Sequence, residues 1–228
     1  MTRPKLLIAE TKDFDKEALE ILNTFSDVTQ ENISPNEISE CLETYDIVWF
    51  RLKFELNDQT LSNKTRCKII VTPVTGLDHI DEDLCKKFNL EIISLRGESE
   101  FLKKVRATAE LTIALTLVLM RNITSAGKSV AKGEWERDKF RGNEIYGKTV
   151  GILGVGRLGS IVAEYFKAFG ANVIGYDVDK ENLKNITYVD SLRKLIEGSD
   201  ILTIHVNYNE NTRNLIGEEE FKWFKKEC

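Results

Sequence analysis

A chain of 228 residues, 42% hydrophobic and 30% charged, has the composition of an ordinary globular protein and the length for two small domains. Its net charge of −5 offers no general pull toward nucleic acid or an anionic membrane, and its longest apolar stretch, Leu111 to Met120, is too short to span a bilayer. Cys41, Cys67, Cys85 and Cys228 are scattered without metal-ligand spacing, which predicts no metal site and a reducing, cytoplasmic setting.

Lys5 to Ala9 reads as a strand, and Asp15 to Asn23 as a helix with Ala18, Leu19 and Leu22 at helical spacing. Ser34-Pro35, with Glu37 behind it, is a helix start: serine at the cap and proline in the first turn. The pattern then predicts a strand over Asp46 to Phe50, a helix over Asn57 to Lys64 and a strand over Lys68 to Thr72. A helix over Ile80 to Phe88 and a strand over Glu91 to Leu95 complete the series. Such alternation builds a parallel sheet with helices on its faces, so residues 1–99 are expected to form one α/β domain. A long helix from Glu100 to Asn122 is apolar almost all round in its second half and is expected to be buried on several sides. Gly127 to Asn143 is a polar connector with a short helix, in which Trp135 is the one large anchor.

The most informative stretch is Gly147 to Asp177. Thr149 to Leu153 is a buried parallel strand by composition, and Gly154, Gly156 and Gly159 form G-x-G-x-x-G directly after it. In a dinucleotide site the first glycine makes the tight turn, the second admits phosphate to the backbone, and the third lets helix pack on strand. A helix opening at Arg157 aims its positive end at that phosphate. Ala171 to Tyr176 is the next strand, and Asp177 ends it, where a carboxylate can accept ribose hydroxyls of NAD and repel the 2′-phosphate of NADP. The motif alone is weak, but its strand, helix and terminal acid supply the confirming context. A helix at Ser191 to Glu197, a third strand at Asp200 to Val206 and a helix at Glu218 to Lys226 follow. With three strands only, the edge of Thr149 to Leu153 that pairs with a fourth strand is expected to be bare.

With these residues in view, the chain resembles the D-isomer-specific 2-hydroxyacid dehydrogenases, the family of phosphoglycerate dehydrogenase, D-lactate dehydrogenase and glyoxylate reductase. The carriers are TGLDHID (Thr75 to Asp81), RATAELTIALTLVLMR (Arg106 to Arg121), GKTVGILGVGRLG, and DILTIHVNYNENTRNLI (Asp200 to Ile216). The resemblance implies a flavodoxin-like substrate domain over 1–99 and a Rossmann NAD-binding domain over 100–228, incomplete at its C-terminal end. It implies cofactor contacts from Gly154, Gly156, Arg157, Leu158, Gly159, Asp177, His205, Val206, Asn207 and Thr212, although the family often has proline where Asn207 stands. It also implies that Thr75 and Gly76 receive the carboxylate of a 2-hydroxy or 2-oxo acid on backbone amides, with Arg51 adding positive charge. Lys53 could do the same or be an ordinary surface charge.

The family's arginine, glutamate and acid/base histidine all lie after a helix that here ends near Lys226. No catalytic residue is therefore predicted, and a C-terminally truncated chain, inactive by itself, is expected. Of the two histidines, His79 is expected to make structural hydrogen bonds, and His205 to lie toward the cofactor, away from the reacting carbon. The apolar helix makes a homodimer the expected assembly. A dinucleotide-sensing corepressor of the same fold is the alternative reading, though no motif favours it.

Overall fold

The computed structural model describes residues 2–179 and 186–226, which leaves Cys228 outside. The chain divides into two compact units, Met1–Leu102 and Lys103–Cys228.

In the first unit the strands are β1 (Lys5–Ile8), β2 (Asp27–Gln30), β3 (Ile47–Trp49), β4 (Ile69–Thr72) and β5 (Glu91–Ser94). All pair in parallel, in the order β2-β1-β3-β4-β5, the flavodoxin-like arrangement. The central strand β1 shows why: Leu6, Leu7 and Ile8 are all buried, so both faces of the sheet must be covered. Leu7 joins Val48, Phe50, Phe54 and Ile70 in one core, while Leu6, Ile8 and Ile47 form the core of the other face. Helix α1 (Lys16–Phe25) is capped by the Asp15 carboxylate, which accepts from the Ala18 N–H at 2.9 Å. Before α2 (Ile38–Thr44), Pro35–Glu37 forms a short 3₁₀ turn, and the Glu37 carboxylate accepts from the Ser34 N–H at 2.6 Å. Helix α3 (Glu82–Lys87) starts on an Asp81 cap, and α4 (Ser99–Leu102) closes the unit.

One sequence expectation fails here, and one strand was not anticipated. Asn57 to Lys64 is a run of turns, not a helix. The Asn57 side-chain oxygen accepts from the Gln59 N–H at 2.9 Å, and the Thr60 and Thr65 hydroxyls accept from the Asn57 and Ser62 N–H groups. These local bonds compete with helical ones. Strand β2 went unanticipated because its sequence, DVTQ, is polar and sits at the sheet edge with only partial burial.

The second unit opens with α5 (Ala107–Met120) and α6 (Ile123–Ala131), then a 3₁₀ turn at Arg137–Phe140. The expected Glu100–Asn122 helix is thus two helices interrupted between Leu102 and Ala107. Lys103 and Arg106 would stand three apart on one helical face, where like charges repel. Nor is α5 buried on several sides. Ala109 and Thr116 are buried and Ile113 and Leu117 pack on the core, but Leu111, Leu115 and Leu119 are 56%, 55% and 78% exposed. Trp135, expected as an anchor, is 86% exposed.

The sheet of this unit contains β6 (Thr149–Leu153), β7 (Asn172–Tyr176), β8 (Thr187–Tyr188) and β9 (Ile201–Ile204), in the parallel order β8-β7-β6-β9. The prediction of three strands and a bare edge on Thr149 to Leu153 is therefore overturned. The two-residue β8, too short and exposed to be read from its pattern, takes the third position, and β9 pairs with β6 from Val150–Ile201 to Leu153–Ile204. Among the described residues β6 is paired on both sides, and the edge strands of this sheet are β8 and β9. Helix α7 (Arg157–Ala168) packs Ile161, Val162 and Phe166 against β6, and α8 (Leu192–Gly198) begins on a Ser191 cap. Helix α9 (Glu218–Phe221) is shorter than expected.

Candidate functional site

The glycine turn joins the end of β6 to the start of α7. Gly154 has φ +88°, and a Cβ there would stand 2.8 Å from the His205 carbonyl carbon and 2.9 Å from Val206 Cγ1. Both the conformation and the lack of room demand glycine. A Cβ on Gly159 would fall 2.1 Å from the Gly154 oxygen, so this residue brings helix and turn together. Gly156 is different: it is the extended N-cap of α7, and nothing lies within 4 Å of where its Cβ would be. That open face, next to the first-turn N–H groups of Leu158 and Gly159, can take a phosphate.

Asp177 follows β7 and is held against the same turn. Its Oδ2 accepts from the Val155 N–H at 2.6 Å and its Oδ1 from the Asp179 N–H at 2.9 Å. Each oxygen keeps acceptor capacity for a ligand hydroxyl. Arg157 is exposed, and its guanidinium donates to the Val105 carbonyl at 3.2 Å.

His205, just past β9, donates its backbone N–H to the Leu153 oxygen at 2.7 Å, and its Nε2 lies 2.8 Å from the Thr203 hydroxyl. Burial holds its imidazole below the ordinary 6.5, so it is neutral at pH 7. The Thr212 hydroxyl donates to the Asn207 carbonyl at 2.6 Å, fixing the loop beyond it. The structure thus gathers Gly154, Gly156, Asp177, His205 and Val206 at the carboxyl ends of β6, β7 and β9, with Asn207 and Thr212 bonded to each other alongside. Strand order reverses at β6, where open α/β sheets bind ligands.

In the first unit, Arg51 and Thr75 follow the carboxyl ends of the neighbouring strands β3 and β4. Thr75 and Gly76 are exposed, and among the described residues neither N–H donates to a partner. Arg51 is already engaged: its Nε is 3.6 Å from Glu10 Oε1, its guanidinium donates to the Lys12 carbonyl at 3.1 Å, and its N–H donates to Glu10 at 2.5 Å. Sequence reasoning missed Glu10. The signal was its place just after β1, which neighbours β3, and this needed the strand order. Lys53 donates to the Ile33 carbonyl and lies 5.6 Å over the Phe54 ring, so it too is committed.

His79 corrects another expectation. Both ring nitrogens are buried, and neither finds a hydrogen-bond partner among the described residues. The ring instead meets Phe50 edge-on at 6.0 Å. Burial pushes the Cys67 thiol up to about 12 and the Cys85 thiol up to about 11, so neither is a nucleophile at neutral pH. Among the described residues no helix is long and apolar enough to cross a membrane.

Residues 113–228 match the family model described as the D-isomer specific 2-hydroxyacid dehydrogenase, NAD binding domain. A glyoxylate reductase of Aeropyrum pernix is 34% identical over 99% of this chain and 70% of its own length. The chain belongs to the D-isomer specific 2-hydroxyacid dehydrogenase family. The NAD-binding domain of this dehydrogenase family therefore contains the glycine turn, Asp177 and the β9 loop. The D-3-phosphoglycerate dehydrogenase of Methanocaldococcus jannaschii is 31% identical over 97% of this chain, which spans 42% of that relative. The fold of the chain matches the crystal structure of D-lactate dehydrogenase from Aquifex aeolicus complexed with NAD and lactic acid. The TM-score is 0.83 at 29% identity, covering 97% of this chain and 66% of that one.

Proposed function

We propose that this chain supplies the cofactor half and the carboxylate-binding turn of an NAD-dependent oxidoreductase acting on the CH–OH group of a D-2-hydroxy acid. The observation that carries the reading is the Asp177 carboxylate, bonded to the Val155 N–H beside the open Gly156 face. The pyrophosphate would lie on Gly156 and the N–H groups of Leu158 and Gly159, with the Arg157 guanidinium in reach. Asp177 would accept the ribose hydroxyls and disfavour a 2′-phosphate, which selects NAD over NADP. His205, Val206, Asn207 and Thr212 would wall the adenosine side. NAD bound there supplies the hydride acceptor for C2 of the hydroxy acid, and NADH the hydride for the oxo acid.

Thr75 and Gly76 would take the substrate carboxylate on their exposed N–H groups. The Arg51 guanidinium, already paired with Glu10 at 3.6 Å, would add positive charge near that turn without being free to bind an anion outright. Protonation of the forming hydroxyl needs an acid within reach of the substrate oxygen. His79 is enclosed beside Phe50 and His205 is tied to Thr203, so neither fills that role. The family resemblance assigns the acid/base set to positions after Lys226. The 228 residues alone are therefore expected to bind NADH without turning over, and two copies to associate through the exposed face of α5.

Two measurements test this. Mixing the chain with NADH and glyoxylate, pyruvate or hydroxypyruvate should give no steady oxidation of NADH, and robust turnover would contradict the assignment of the acid/base group. Asp177→Ala should weaken NADH binding about tenfold or more, the worth of a charge-assisted hydrogen bond. Unchanged affinity would remove Asp177 from the site.

A further inference from the structure

Arg157 is held in a place that its expected ligand would contest. It is the first residue of α7, yet its guanidinium reaches back to the Val105 carbonyl at 3.2 Å. Val105 belongs to Lys103–Arg106, the first residues of the second unit and the stretch between α4 and α5 that is not helical. A second contact ties the same stretch to α7: the Arg106 guanidinium lies 3.9 Å from the Glu164 carboxylate. Both contacts are exposed, and the Arg157 bond is the shorter of the two.

A phosphate oxygen is a stronger acceptor for a guanidinium than a neutral peptide carbonyl, because both partners are charged and the planar fork matches the anion. We propose that Arg157 couples occupancy of the glycine turn to the Lys103–Arg106 segment. With the turn empty the guanidinium clasps the Val105 carbonyl, and a pyrophosphate on Gly156 and Leu158 draws it away. The segment at the boundary of the two units then loses its shorter link to α7. The argument rests on the nucleotide reading of the glycine turn given above. Its energetic scale is set by the difference between the two acceptors, since a ligand shifts a conformation only by its differential affinity for the two states.

Hydrogen–deuterium exchange of the full chain, with and without saturating NADH, reads the coupling directly, and NADH fluorescence run in parallel reads binding. In the wild type, NADH should raise exchange several-fold in peptides covering residues 103–110 while protecting residues 154–160. Arg157→Gln should exchange fast over 103–110 even without NADH and show no further change there, with NADH bound about tenfold more weakly. Arg157→Lys keeps the charge but not the fork, and should restore part of the affinity without restoring the slow exchange. Binding of NADH with no change over 103–110 would overturn the coupling alone. Protection of 103–110 by NADH would overturn it as well. No binding of NADH to the wild type would overturn the nucleotide reading beneath it.

Discussion

At the scale of single residues, the glycine turn depends on two positions, Gly154 and Gly159, that have no room for a Cβ. Gly159→Ala places a methyl 2.1 Å from the Gly154 oxygen, against backbone that cannot step aside. The expected cost is about 1–3 kcal/mol of stability, from overpacking, and chemical denaturation of the two proteins measures it. Gly156→Ala meets nothing within 4 Å, so any loss there should be of nucleotide affinity instead. His205 gives a dependence on pH. Burial lowers its folded value below 6.5, so the unfolded chain takes up the proton first, and stability falls as pH drops through 6.5 toward the folded value. Above 6.5 the residue contributes no pH dependence. His205→Gln should flatten the melting temperature between about pH 7 and pH 5, and an unchanged slope would contradict the account. Asp200 acts in a lower window. The Lys225 ammonium and then the Thr149 N–H hold its carboxyl below 3.8, so its contribution is present above 3.8 and is lost as pH falls further.

At the scale of elements, what the sequence makes legible is decided by burial. Strands β1, β3 and β4 are apolar because they lie inside a sheet covered on both faces, and their patterns announce them. Strands β2 and β8 lie at sheet edges, carry polar residues and escape notice. That omission misplaced a bare edge on Thr149–Leu153: with β8 as the third strand, Ile201–Ile204 is the fourth and pairs with β6. The glycine turn and Asp177 were legible because their spacing is local. The partners of Arg51 were not, since Glu10 reaches it only through the pairing of β1 with β3. Helix α5 shows a different limit. Its second half reads as apolar almost all round, while the structure gives one face to α7 and leaves Leu111, Leu115 and Leu119 exposed. These stand four apart on one side of a helix that carries Glu110 as its one charge. Such a face suits a two-fold copy of itself. Burying each leucine is worth about 1.5–3 kcal/mol, so Leu115→Glu should shift the chain to monomers in sedimentation velocity. A wild type that sediments as a monomer at tens of micromolar (roughly the range where weak dimers dissociate) would contradict the dimer.

At the scale of the whole molecule, each of the two parallel-sheet units carries its own candidate ligand site. The first presents exposed backbone N–H groups at Thr75 and Gly76 that have no partner among the described residues. The second presents an open glycine turn with a fixed carboxylate. The chain belongs to the D-isomer specific 2-hydroxyacid dehydrogenase family, and the central claim is that the nucleotide site is already built within the described residues of the second unit. Titrating the chain with NADH and with NADPH, followed by nucleotide fluorescence, tests that claim most directly. The account predicts saturable NADH binding and at least about tenfold weaker binding of NADPH, because Asp177 meets the 2′-phosphate with like charge. Equal affinity for the two nucleotides, or none for either, would contradict it.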